Sequence, residues 1–555
     1  MAIQTASWVG QPRVKGASES MQMMLLTLSM VGLQACWGVE MTYGSPYLLS
    51  LGLSKTKLSL VWVAGPLSGL VMQPLIGVLS DQSTSKYGRR RPFMAMGTAA
   101  VVVCLLLLGW TGEVVGWFVE DKELKREMTI ALAVVDIYVL DFVINIAQST
   151  CRALVVDTLP VDKQQLGAAW ASRMVGVGHM LVYGIGALDL MTIFGNFLGD
   201  TQFKKVCLIA AITMVVAQGT SCWAVNERVL VSDGTSRPSN KGILSVLKKI
   251  YSTTLSIPEP IQAICWVQFW SWIGWFPFLF YGSTWVGEIY LRHEAPYGTP
   301  DALTEVGRAG SVAFIAFAMI SFASSIVLPW LVQSPDDTDK PDYTPRPPQS
   351  LQSVIKGARR TKPTLVTAWM FANLLFAASM AFAPFVQSVR FATIIIALCG
   401  VPWAVAGWAP GTFLGIEVNR LSSRLPMTTH SRSTSYRRLS NDSIELSSQE
   451  SSPGTLHLRH DSNGMETSGS TGDMSGIYLG ILNIYTTLPQ FVGTGISWIV
   501  FSMLEDGKSP ELNPEAHPDE HHSKEGFSGI GVCLFIGAIC AVGAAWATRR
   551  LRVAS

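Results

Sequence analysis

Four polar side chains sit in the apolar run LDFVINIAQSTCRALVVD over residues 140–157: Asp141, Asn145, Gln148 and Arg152. At about 100° per residue their spacing keeps them within about 60° of one another, a single polar stripe on a helix. A charge in hydrocarbon costs roughly 2.5–3.5 kcal/mol, so a stripe that carries two must face a bundle interior or a wet cavity. The rise from Asp141 to Arg152 is about 16 Å, too far for an ion pair, so the two have separate tasks. Asp141 is placed to carry a proton, loading on one side and unloading on the other. The plainer alternative is an acid hydrogen-bonded to neighbouring helices. Arg152 can bind hydroxyl groups through its fork of donors, or close a gate with Asp157 or Asp81.

Other residues extend this chemistry. Glu40 stands three residues from Trp37, on the same helical face. It is a second proton site or an acceptor that orients a ligand. His179, in GVGHMLVYG, is a third titratable candidate, and the blander reading is a neutral imidazole bonded to a neighbour. Indoles at mid-span (Trp37, Trp62, Trp266, Trp270, Trp275, Trp403, Trp408) lie in the same runs as the amides Gln34, Asn145, Gln148, Asn373, Asn483 and Gln490. A polyhydroxylated ring needs both, a flat apolar face and fixed donors and acceptors, although most membrane tryptophans serve interfaces or packing. No nucleophile–base pair or metal set is present, so an enzyme is not expected, nor a cofactor. HPDEHH at 517–522 reads as an exposed acidic loop.

The elements that must hold these residues are set by composition. The 555 residues are 49% hydrophobic and only 14% charged, with a net charge of +2. Soluble chains carry roughly 25% charged residues; mean hydropathy is +0.33. So small a net charge excludes a nucleic-acid binder. Runs of about 20 apolar residues recur, each able to cross ~30 Å of bilayer. The reading is an all-α, polytopic membrane protein with twelve spans, near 22–51, 58–79, 93–113, 128–152, 167–195, 203–224, 258–286, 307–333, 364–386, 390–416, 475–502 and 527–548. Residues 1–21 form a tail without a cleavable signal pattern, and 22–224 form a first six-helix half. A linker at 225–257 leads to a second half over 258–549, with a terminal tail at 550–555. The nine cysteines show no CxxC spacing and read as small buried hydrophobes. Basic loops after even-numbered spans place those loops and both termini in the cytosol by the positive-inside rule.

The loop SDQSTSKYGRRRPF, residues 80–93, then gains meaning. Asp81 closes one span and Arg89, Arg90 and Arg91 open the next after Gly88, so charge-assisted pairs can latch a helix end. Topological anchoring alone is the alternative. GVLSDQSTSKYGRRRPF resembles the loop signature of the sucrose transporter branch of the glycoside–pentoside–hexuronide:cation symporters, within the major-facilitator superfamily. LDFVINIAQSTCRALVVD and YLGILNIYTTLPQ (478–490) resemble two further helices of that family. FPFLFYGSTWVGEIY (276–290) resembles a third but departs from it: Gly282 and Thr284 stand where plant members carry aspartates. Glu40 stands where plant members carry glutamine, which resembles the fungal α-glucoside permeases and the animal members.

The resemblance implies a major-facilitator fold and proton-coupled symport of sucrose, maltose or a related α-glucoside by alternating access. Beside it, the residues themselves are read as proton coupling at Asp141, Glu40 and His179, and substrate binding by Arg152, Asn145, Gln148, Gln34, Trp37, Asn483 and Gln490. Gating falls to Asp81, Gly88, Arg89, Arg90, Arg91 and Asp157. The plasma membrane is the expected site. Alternatives are a transporter of an acidic organelle or a sensor that binds sugar without moving it. The segment 418–473 is rich in Ser, Thr and Arg and is expected to be disordered. Its RRLSNDS resembles a basophilic kinase site at Ser440, which makes a kinase an expected partner beside the disaccharide, the proton and the bilayer.

Overall fold

A chain crossing hydrocarbon must satisfy its backbone hydrogen bonds internally, and helices do so. The computed structural model describes residues 7–81, 83–160, 163–232, 257–295, 302–332, 362–424, 469–505 and 527–554. The apolar runs are helical. In the first half they are α1 (Glu19–Ser50), α2 (Lys55–Asp81), α3 (Arg91–Gly109), α4 (Lys122–Thr158), α5 (Gln164–Ala187) and α6 (Gln202–Ala224). In the second they are α7 (Glu259–His293), α8 (Ala302–Leu331), α9 (Leu365–Phe385), α10 (Val389–Val418), α11 (Gly469–Leu504) and α12 (Gly529–Ala554). Hydroxyls and carboxylates cap their first turns: Ser18 accepts from the Met21 amide, Asp121 from Leu124 and Thr201 from Lys204.

Among the described residues, eleven helical stretches are long and apolar enough to cross a membrane. The 24-residue α5 is not one of them, because Arg173, His179 and many small residues dilute its apolar character. Of the twelve expected spans, eleven are borne out by length and composition, and the twelfth corresponds to a helix that falls short of them. The segment expected to be disordered, 418–473, is helical at both ends: 418–424 prolong the helix of α10 and 469–473 open α11. Ser440 and the rest of 425–468 lie outside the described residues, as do 233–256 and 506–526.

Two short antiparallel ladders were not foreseen. Ser7–Val9 pairs with Val229–Ser232, and Arg13–Val14 pairs with Val225–Asn226. They join the N-terminal tail to the start of the linker. Both segments leave α1 and α6 on one face and carry the β-branched residues that strands favour. That face is called the tail face here, and its opposite the far face.

Within each half the helices approach closely where side chains are small. A Cβ on Gly274 of α7 would lie 2.7 Å from the Gly537 carbonyl oxygen of α12. Between the halves, contact concentrates toward the far face. Ser45 Oγ donates to the Phe280 carbonyl (2.8 Å), and Ser283 Oγ to the Thr42 carbonyl (3.0 Å). Trp62 packs on Phe280 with ring centroids 4.7 Å apart, and Tyr183 on Phe314 at 5.4 Å.

Candidate functional site

The α4 stripe lies where the sequence places it. Asp141 and Asn145 are buried, Gln148 is half-buried and Arg152 is exposed. Asn145 Nδ2 donates to Ser68 Oγ (3.0 Å) and to the Asp141 carbonyl (2.9 Å), while its Oδ1 accepts from Gln73 Nε2 (3.2 Å). Trp37 Nε1 donates to Gln148 Oε1 at 3.1 Å. The amides are thus pre-oriented by α1 and α2. Arg152, with no hydrogen-bond or ion-pair partner among the described residues, leaves its donors open, as an anchor for hydroxyls requires. It does not meet Asp157 or Asp81, whose carboxylates are taken by Arg89 and Arg90.

The two mid-membrane acids are 0% exposed, and all four carboxylate oxygens of Glu40 and Asp141 lack a hydrogen-bond partner among the described residues. They are also within Coulombic range of one another. Glu40 opens a π-helical turn, Glu40–Gly44, that interrupts α1; such turns gather at functional sites. Two unpartnered buried carboxylates cannot both remain ionised at modest cost, and holding protons is the chemistry that relieves them.

Other expected residues lie apart from these acids. His179 is buried on α5 with its ring stacked on Tyr183, centroids 5.5 Å apart. Gln34 is half-buried where α1 meets α5: a Cβ on Gly178 would lie 2.7 Å from Gln34 Cβ. On α11, Gln490 Nε2 donates to the Thr486 carbonyl (3.0 Å), and Asn483 is half-buried. Trp62 and Trp275 are fully buried and serve packing. Trp403 is half-buried, with its ring 4.9 Å from Trp275 and 6.2 Å from Trp272.

At the tail face the loop motif forms a network inside the first half. Arg89 reaches Asp157 at 2.7 Å and Asp81 at 3.7 Å; Arg90 Nε reaches Asp157 at 2.8 Å and its Nη2 pairs with Asp81. Glu227, beyond α6, accepts from the backbone amides of Arg89, Arg90 and Arg91 at 2.9, 2.9 and 2.8 Å. A carboxylate there complements the helix dipole of α3. Gly88 makes the turn with φ +104°, and a Cβ on it would strike Glu227.

Sequence reasoning missed a second network. At the far face Lys55 of α2 lies 2.5 Å from Glu288 of α7 and 2.5 Å from Glu505 at the end of α11, with Arg292 3.9 and 3.8 Å from the same acids. Lys55 and Glu288 side chains are 3% and 1% exposed. The signal available was four charges, Lys55, Glu288, Arg292 and Glu505, at or just beyond predicted span ends, which positional reasoning assigns to loops. Gln73, Ser68, Glu227 and Asp136 were likewise not singled out.

Residues 27–120 match the family described as MFS/sugar transport protein. A general α-glucoside permease of Schizosaccharomyces pombe is 32% identical over 453 residues, covering 73% of this chain and 82% of that protein. The sucrose transport protein SUC4 of Arabidopsis thaliana is 31% identical over 283 residues, 48% of this chain and 55% of that protein. In fold the chain is similar to a D-xylose–proton symporter (TM-score 0.54, 12% identity, 95% and 96% of the two chains covered). It is equally similar to a bacterial homologue of the human lysosomal transporter Spinster (TM-score 0.54, 12% identity, 97% and 98% covered).

Proposed function

The chain belongs to the major-facilitator family of sugar transporters, and we propose that it moves sucrose, maltose or a related α-glucoside together with a proton by alternating access. It is a multi-pass membrane transporter, not an enzyme. The observation that carries the coupling is the pair of buried, unpartnered carboxylates, Glu40 and Asp141, beside the amide-and-arginine stripe of α4. Asp141 carries the proton, and Glu40 is an acid within Coulombic range of it. Arg152, Gln148, Asn145, Trp37 and Gln34 present the sugar-binding surface from the first half, and Asn483 and Gln490 from the second. Halves joined at the far face describe a state closed on that side.

Magnitudes allow this chemistry. A proton crossing ~100 mV releases about 2.3 kcal/mol, and one pH unit adds about 1.4. Together they can concentrate a neutral sugar several-hundred-fold, at about 1.4 kcal/mol per decade. The basic loops favour a cytosolic tail face, and we assign the protein to the plasma membrane. Arg437 and Arg438 ahead of Ser440 support regulation by a basophilic kinase.

The test is uptake of labelled sucrose and maltose in yeast lacking sugar transporters, wild type beside Asp141→Asn, with and without a protonophore. Accumulation that collapses both with protonophore and in the variant supports the reading. Concentrative uptake by Asp141→Asn moves the proton to Glu40 or His179. Surface-expressed protein that takes up no α-glucoside overturns the substrate assignment.

A further inference from the structure

One buried acid has no place in the sugar site. Asp136 precedes Asp141 by five residues on α4, is 3% exposed, and its Oδ2 lacks a hydrogen-bond partner among the described residues. Five residues turn a helix by about 140°, so Asp136 points away from the stripe into the packed interior of the first half. There it bonds to the Cys104 thiol of α3 and lies within Coulombic range of Cys207 of α6 and Tyr47 of α1. A partly satisfied carboxylate in such a core costs several kcal/mol, and apolar packing around Cys104 and Cys207 does not require it.

Its neighbours form a sequence. Glu40 is within Coulombic range of both Asp141 and Asp136, and so lies between the two faces of α4. Toward the far face, the Tyr47 hydroxyl shares a hydrogen bond with the Thr111 hydroxyl, and Tyr47 is within range of both Asp136 and Glu113. Glu113 is 44% exposed at the far surface, paired with Lys204, which also bonds Asp200 at 2.6 Å. From surface to centre the order is Glu113, the Thr111–Tyr47 hydroxyls, Asp136, Glu40 and Asp141.

We infer that Asp136 is a proton-relay site, connecting the far surface to the Glu40–Asp141 pair through the interior of the first half, apart from the path of the sugar. The inference rests on the proposed role of that pair in coupling. Each step is a proton transfer alone. A protonated Asp136 passes its proton to the Glu40 carboxylate across an intervening water, since no hydrogen bond joins the two among the described residues, and is reloaded in the same way from the Tyr47 and Thr111 hydroxyls, each of which accepts one proton on oxygen and releases another. Glu113 takes up the replacement from water. The Lys55 cluster closes the far face to a sugar but not to a chain of hydroxyl and carboxyl groups. Glu40 and Asp141 are 0% exposed, so the pair is sealed from the tail side while it loads, and coupling is preserved. The groups that face Asp136 are Cys104 from α3, Cys207 from α6, and Tyr47 and Glu40 from α1.

The test uses the full chain in proteoliposomes, comparing sugar-driven proton influx with sugar counterflow, an exchange that needs no net proton movement. Asp136→Asn is expected to lower sugar-driven proton influx about ten-fold or more, as loss of a positioned proton-transfer group does, with counterflow falling far less. The deficit should widen as external pH rises, and Asp136→Glu should restore most of the influx. Wild-type influx with an unchanged pH profile in Asp136→Asn overturns the relay. Equal loss of counterflow and influx also overturns it, marking a structural or sugar-translocation role. A wild-type protein that moves sugar without protons overturns the coupling reading and the relay with it.

Discussion

At the far face Lys55 holds carboxylates of the opposite half while 3% exposed; at the tail face Arg89 and Arg90 hold Asp81 and Asp157 of their own half, with Asp81 56% exposed. Both clusters pair basic residues with two acids, yet they do different work. The far cluster spans the boundary across which the halves must part, so opening that side strips Lys55 of its partners. The tail cluster stays within one half and can persist through such a motion. An ion pair across a moving boundary sets the balance between states. One within a rigid half sets the shape of a loop.

The sharpest way to break this contrast is Lys55→Ala. It removes the cation 2.5 Å from both the buried Glu288 and the partly buried Glu505, and loss of one partner of a buried pair costs about 3–5 kcal/mol. The closed far face should lose most of its population. Sugar uptake should fall by more than about ten-fold, a change equivalent to ~1.4 kcal/mol. A cysteine placed at Ser283, on the inter-half seam, should become reactive to an impermeant maleimide. Unchanged labelling would mean that Lys55 is packing, not a latch. Asp157→Asn comes next. It removes the acceptor shared by Arg89 and Arg90, but at 22% exposure water can replace part of the loss. A loss of about 1–3 kcal/mol, read as a lower melting temperature in detergent with maleimide labelling of Ser283→Cys unchanged, would keep the two clusters distinct.

The tail cluster was legible in the sequence and the far cluster was not, for a physical reason. Asp81 lies eight to ten residues before Arg89–Arg91, so local spacing alone brings that part of the cluster together, while Asp157 joins it through the fold. Lys55, Glu288 and Glu505 meet only because two halves fold against each other, and no local pattern encodes that. The α4 stripe was legible because helical periodicity aligns Asp141, Asn145, Gln148 and Arg152 without tertiary knowledge. Asp136 escaped because it lies off that stripe, where periodicity signals nothing. His179 looked titratable in sequence, but its place against Tyr183 depends on packing that sequence does not reveal. Eleven of the expected spans were legible from apolar length; α5 is helical, but its polar and small residues, which suit a position packed between α1 and α8, leave it short of that test.

Glu227 separates loop shape from loop charge. It accepts three backbone amides at the start of α3, so it acts on the helix end through the main chain. Glu227→Gln keeps an acceptor and removes the charge that complements the helix dipole, so it should cost about 0.5–1 kcal/mol, seen as a small drop in melting temperature with uptake nearly intact. A loss of uptake as large as that of Lys55→Ala would mean the loop is itself a gate, and the contrast between the faces would fail. The smallest effect belongs to the Lys163–Glu19 pair, 2.8 Å apart but 45% and 54% exposed. Exposed pairs contribute roughly 0–1 kcal/mol and are screened by salt. Glu19→Gln should therefore leave melting temperature and uptake unchanged at physiological ionic strength. Exposure rather than distance decides what an ion pair contributes, since this pair is nearly as short as those of Lys55.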